Sequence, residues 1–150
     1  VMAGECAFCA ADVDDAPPRE RAVRTDRWRL VVHRSALPGW FLLMPRRHIE
    51  SLHEMTAEEA ADLGPLIQRA SALHVEHFGA LKTYVMQFAE GVSHVHFSLA
   101  PRRSDIPADR IGPASMGFNS KDETLSTERR DEIALQVARA WGAGGGDGDT

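Results

Sequence analysis

Polar and apolar residues alternate strictly along His94-Val95-His96-Phe97-Ser98-Leu99, after Ser93. A period of two marks a half-buried strand. It buries Val95, Phe97 and Leu99 and puts His94, His96 and Ser98 on the other face, successive members about 6.5–7 Å apart. Three more segments read as strands. Arg27 to His33 sets Trp28, Leu30 and Val32 on one face, with Val31 among them. Trp40 to Pro45 is a continuous apolar run, hence a buried strand. Lys82 to Ala89 sets Thr83, Val85 and Gln87 against Tyr84, Met86 and Phe88. The segment Arg34-Ser35-Ala36-Leu37-Pro38-Gly39 is a turn that makes the first two a hairpin. Glu90-Gly91-Val92-Ser93 turns the third strand into the fourth.

Two helices follow from the longer period. Thr56-Ala57-Glu58-Glu59 opens one with a capping box. Leu63, Leu66, Ile67, Ala70 and Leu73 give its apolar stripe, Gly64-Pro65 is a place for a kink, and Gly79 ends it. His74 and His77 lie three apart in its last turn, a spacing that suits a metal or simply complements the helix dipole. Ser126 caps the second helix, whose stripe is Ile133, Ala134, Val137, Ala138 and Trp141 and whose end is Gly142. Residues 10–21 read as a surface loop, with a short helical start around Cys9–Ala11. Residues 103–125 form a long connection, of a length that is often functional or partner-facing. Residues 143–150 read as a flexible Gly-rich tail, which leaves 1–142 as the domain. Hairpins without strand–helix–strand alternation give an antiparallel α+β fold.

The chain has 150 residues, enough for one domain with a real core. No apolar run approaches the ~20 residues of a membrane span. No basic-then-apolar start suggests a signal peptide, so the cytoplasm is the expected location. A net charge of −5 argues against nucleic acid or an anionic membrane as partner. Arginine supplies 15 of the 17 basic residues and suits phosphate, though only its placement is informative.

Both cysteines stand in Cys6-Ala7-Phe8-Cys9. So short a disulfide loop is strained and gains little. A redox pair or half a metal site remain, and with no strand before Cys6 the pattern favours metal. Zinc takes four ligands, commonly Cys and His, so two of the seven histidines would complete it. Two imidazoles in a row on a strand face are poor core material. Near pH 7 a neutral imidazole is a competent nucleophile, because its ordinary pKa is about 6.5.

The His94-Val95-His96-Phe97-Ser98-Leu99 stretch, running on into Pro101-Arg102, resembles the signature of the histidine triad (HIT) superfamily of nucleotide hydrolases and transferases. It matches the first two histidines and departs at the third, where Ser98 stands. The resemblance extends from Cys6 to about Arg102. It implies a sheet of about five antiparallel strands, a homodimer, and a purine nucleotide or nucleotide conjugate as ligand. It implies that His96 attacks the α-phosphorus to form a nucleotidyl-histidine intermediate. Ser98 then stands where relatives place a histidine donor. A zinc-binding branch of the superfamily has a Cys-x-x-Cys near its start, and its other ligands map onto His48 and His94. That zinc is structural, since four protein ligands close the shell. For the nucleotide, the resemblance points to His33 or Arg34 at the ribose, with Gln87, Ser93 and Arg102 as further candidate contacts. The chain also departs from relatives in a shortened phosphate loop before His94 and in Trp40, where a histidine is frequent. Those departures favour a second reading, a non-catalytic nucleotide- or protein-binding module on the same fold. Without the resemblance, a zinc-stapled α+β interaction domain remains.

Overall fold

A computed structural model describes residues 5–144. One antiparallel sheet of five strands organises it, in the order β1-β2-β3-β5-β4. The strands are β1 (Val23–Arg24), β2 (Trp28–Val32), β3 (Phe41–Pro45), β4 (Ala80–Met86) and β5 (Phe97–Arg103). The helices are α1 (Ala7–Ala11), α2 (Ala57–His77) and α3 (Thr127–Gly144). Short 3₁₀ turns fill much of the rest, at Pro18–Glu20, Leu52–Glu54, Ala108–Arg110 and Gly112–Asn119. The α+β fold read from the sequence is the fold observed.

Every residue of β2 and β3 is buried, because both faces of the sheet are covered. On one face Trp28, Leu30, Val32, Phe41, Leu43, Phe97 and Leu99 meet the stripes of α2 and α3. On the other face Val31, Trp40, Leu42, Met44 and Ala100 pack with Phe8 of α1 and with Ile106 and Phe118 of the long connection. The alternation of Val95, Phe97 and Leu99 therefore holds. The strand itself starts later than its sequence pattern, at Phe97, and His94 and His96 lie in the approach to it.

Thr56 caps α2 through the expected capping box with Glu59. The helix stays helical through Pro65 and ends at Phe78, ahead of Gly79 with its φ of +65°. The Ser126 hydroxyl accepts from the Arg129 amide and so starts α3. That helix does not stop at Gly142, as its sequence suggests, but runs to Gly144. Arg69 of α2 holds this end of the helix: its guanidinium donates to the Trp141 carbonyl at 2.6 Å and lies 4.2 Å over the Trp141 ring. Residues 145–150 of the expected tail lie outside the described residues.

Residues 103–125 are more ordered than their composition suggests. The Phe118 carbonyl accepts from the Ala36 amide at 3.0 Å, and Ser35 bridges Thr124. The connection is thereby fastened to the β2–β3 turn. That turn needs Gly39, whose φ is +93° and whose missing Cβ would stand 2.8 Å from the Phe78 ring. No helix among the described residues is long and apolar enough to cross a membrane.

Candidate metal centre and catalytic cavity

Three separated segments converge at the start of the chain's described part. Cys6 precedes α1 and Cys9 lies within it. His48 follows β3 and His94 precedes β5. Their ligand atoms all lie within 4.8 Å of one another. Sγ of Cys6 is 3.6 Å from His94 Nδ1, and Sγ of Cys9 is 3.5 Å from both His48 Nδ1 and His94 Nδ1. Zinc bonds of about 2.3 Å to sulfur and about 2.0–2.1 Å to nitrogen, at a tetrahedral angle, put S and N about 3.6 Å apart. The three sulfur–nitrogen separations of 3.5, 3.5 and 3.6 Å match that spacing, and the four residues have the chemistry of a closed zinc site.

The surrounding groups point the same way. His94 Nε2 donates to the Pro45 carbonyl at 2.7 Å, which leaves the Nδ1 lone pair facing the sulfurs. Burial holds the His94 pKa down and so favours its neutral, ligating form. A Glu50 carboxylate oxygen lies 3.5 Å from His48 Nε2. Burial and the adjacent Cys6 push the Cys9 thiol up to about 11. A metal would therefore displace a proton from Cys9 on binding.

Beside this cluster a cavity of about 450 Å³ opens on the α1 face of the sheet. Its floor is Val31, Leu42 and Ser98, which stand in register across β2, β3 and β5. His96, two residues before Ser98, lines the same cavity at the β5 end. Phe8 of α1 roofs it and sets its ring edge-on to His96, with centroids 5.0 Å apart. Gly91 and Val92 close the β5 end; His33, Arg34, Asn119 and Arg130 close the β2 end.

His96 has a defined tautomer. Its Nδ1 donates to the His94 carbonyl at 2.8 Å, so Nε2 carries the free lone pair. His33 also has one, because its Nδ1 accepts from the Ser35 amide at 3.3 Å and its Nε2 bears the proton. Burial, helped by Arg34 and Arg130, drives the His33 pKa down to about 4, so it is a neutral donor at pH 7. The Asn119 Oδ1 is buried without a partner among the described residues.

Of the candidates read from the sequence, the cavity brings together His33, Arg34, His96 and Ser98. It does not bring in Gln87, Ser93 or Arg102. Gln87 lies past the end of β4. Ser93 faces a separate hollow beside Cys6 and His48. Arg102 shares the Ser98 face but stands four residues along β5, about 13 Å away, and donates to the Arg103 carbonyl. His74 and His77 form no metal cluster among the described residues. His74 is instead a core residue, donating from Nε2 to the Gly39 carbonyl at 2.7 Å, with Nδ1 2.8 Å from Thr83 Oγ1.

Several contributors escaped sequence reading. Arg29 is 2% exposed inside an apolar strand. It donates to the Phe8 carbonyl at 2.7 Å and the Glu20 carbonyl at 2.8 Å, tying α1 to the sheet. Phe8, Asn119 and Arg130 form cavity wall from segments read as the Cys-x-x-Cys motif, the long connection and the last helix. The only prior signal was the length of the 103–125 connection.

Comparison with known proteins agrees with this architecture. The chain is 26% identical over 101 residues to the adenosine 5'-monophosphoramidase of Schizosaccharomyces pombe, covering 67% of this chain and 76% of that one. It is 35% identical over 79 residues to the bis(5'-adenosyl)-triphosphatase of Dictyostelium discoideum, spanning 49% of this chain and about half, 53%, of that relative. In structure it resembles a Zn-bound histidine triad family protein from Mycobacterium smegmatis, with a TM-score of 0.69, 19% identity, and coverage of 95% and 96% of the two chains. A diadenosine triphosphate hydrolase of Plasmodium falciparum has a TM-score of 0.66 at 19% identity, with coverage of 87% and 80%. The HIT domain model matches residues 18–105, more than half of the chain, and the chain belongs to the HIT domain family.

Proposed function

We propose that this chain is a nucleotide hydrolase or transferase acting through His96, on a scaffold held by structural zinc. The observation that carries the reading is the Nδ1 bond from His96 to the His94 carbonyl, which leaves Nε2 as a nucleophile in a cavity of nucleotide size. Nε2 attacks the α-phosphorus; a P–N bond forms and the bond to the leaving group breaks, with its electron pair going to the leaving group. Water then cleaves the P–N bond and releases the nucleoside monophosphate. Splitting one displacement into two is ordinary covalent catalysis. Ser98 offers a hydroxyl to the developing phosphate charge but, at pH 7, no acid to the leaving group. His33 and Asn119 offer a donor and an acceptor to the sugar or base. The two relatives named for adenosine phosphoramidate and diadenosine triphosphate support this substrate class.

Cys6, Cys9, His48 and His94 would hold the zinc, whose role is to fasten α1 and the His94 segment together. A homodimer belongs to the same reading. β4 is one of the two sheet edges, and Leu81, Val85 and Phe88 are exposed on or beside it.

The test is incubation with adenosine 5'-phosphoramidate and diadenosine triphosphate, scoring AMP release. Wild type releases AMP, His96→Ala does not, and an adenylyl adduct on His96 appears by mass spectrometry after an acid-free quench. Absence of both release and adduct sinks the enzymatic reading. Ser98 and Trp40, standing where relatives carry histidine, favour a second reading as a binding module. Stabilisation by AMP without any turnover selects it.

A further inference from the structure

The β2 end of the cavity carries more positive charge than a single phosphate at His96 can use. Arg34 and Arg130 both line it. Both lie close enough to His33 to depress its basicity. Arg130 is fixed in place: Nε and Nη2 donate to the Val32 carbonyl at 3.0 and 2.8 Å, and no bond of Nη1 appears among the described residues. The Arg34 guanidinium makes no hydrogen bond or ion pair among the described residues, although its backbone carbonyl accepts from Leu125. Glu20 is the one carboxylate in the wall. It is balanced from below by buried Arg29 at 3.4 Å, and it stands 3.9 Å from Arg130 Nη2. His33 is neutral, as argued above. Two cations therefore face the cavity with one compensated anion, beside Arg130, among the described residues. Burial lowers the pKa of Arg130, so its cation gains from an anionic partner.

We propose that Arg34 and Arg130 form a second anion subsite, and that the ligand is a nucleotide carrying a phosphate on its ribose as well as at its 5' position. The inference rests on the nucleotide reading above and specifies its substrate class. The sheet geometry selects the ribose. Arg34 lies past the end of β2, three residues beyond Val31, which stands two strand spacings from Ser98; the offset is about 9.5 Å across the sheet and about 10 Å along it, and His96, just before β5, lies farther still. Phosphates joined through one bridging oxygen are too close together to reach both strands. Phosphates on opposite sides of a ribose are separated by the sugar. Arginine suits the role, since its fork of donors matches phosphate oxygens.

The experiment is calorimetric titration of the zinc-loaded full chain with AMP, adenosine 3',5'-bisphosphate and ADP. The bisphosphate should bind about tenfold or more tighter than AMP, as expected for charge-assisted hydrogen bonds to a buried anion. ADP should not share the gain. In Arg34→Ala the ratio of bisphosphate to AMP affinity should collapse towards one, and Arg34→Lys should recover part of it. Equal binding of AMP and bisphosphate overturns the subsite while leaving the nucleotide reading intact. So does a ratio that survives in Arg34→Ala, or an ADP affinity equal to that of the bisphosphate. If none of the three binds, the nucleotide reading falls and the subsite falls with it.

Discussion

The carbonyl oxygen of His94 accepts from His96 Nδ1 at 2.8 Å, while the His94 ring faces two cysteine sulfurs on its other side. One residue thus sets the tautomer of the proposed nucleophile and completes the proposed metal site. Phe8, between the two cysteines, repeats the link by lying edge-on to both imidazoles.

Zinc removal should therefore be felt at His96. Elemental analysis of protein prepared without chelator should give about one zinc per chain. Cys9→Ser should lower Tm by about 5 °C or more, given about 2–4 °C per kcal/mol for a chain of this size. The ring resonances of His96 should shift on chelation. Unmoved His96 resonances in zinc-free but folded protein would separate the two sites.

Ser98 distinguishes a slow enzyme from a retired one. Loss of a transition-state donor typically costs about 10²–10³ in rate. Ser98→His should raise kcat by a factor in that range, most for substrates whose leaving group needs a proton. His96→Ala should abolish turnover in both backgrounds. A Ser98→His protein no faster than wild type would assign the cavity to binding.

Acidification should destabilise the fold before its carboxylates titrate. Burial drives His74 down to about 4, against an ordinary value near 6.5. The unfolded chain therefore binds a proton at His74 where the folded chain does not. Stability is fully present above about pH 6.5 and declines as pH falls towards 4, by about 3 kcal/mol in all. His33 acts in the same direction. Thermal melts of zinc-loaded protein between pH 7 and 4.5 should show this slope, and His74→Gln should flatten it. A slope unchanged in His74→Gln would refute the assignment.

Arg29→Met should cost about 3 kcal/mol, since it leaves Glu20 and two backbone carbonyls without their buried partner. The loss should be local as well as global. Hydrogen exchange of the Ala10 amide, which donates to the Cys6 carbonyl in α1, should accelerate more than that of β3. Equal acceleration everywhere would mean that Arg29 holds the sheet rather than the helix.

The sequence disclosed what short-range pattern can disclose. The burial of Val95, Phe97 and Leu99, the Thr56 capping box and the Ser126 cap follow from spacing alone. The association of Cys6 and Cys9 with His48 and His94 came only through resemblance, because no local rule links residues so far apart in the chain. β1 escaped notice because two residues have no periodicity to detect. The burial of Arg29 and His74 has no sequence signal, because only the layers packed on both sides of the sheet create it. Asn119 reaches the cavity through the docking of 103–125 on the β2–β3 turn, and Arg130 through the packing of α3 beside Val32, contacts with no signature in the segments that make them.

β3 contributes only apolar side chains to the cavity floor, while the polar groups stand past the end of β2 on one side and on or just before β5 on the other. The middle strand is in effect a ruler. The span between the two polar ends is set by backbone hydrogen bonding, so changing Leu42 alters the depth of the cavity but not its length. Ligand length is then a property inherited from the sheet, and ligand chemistry is free to vary at its two ends.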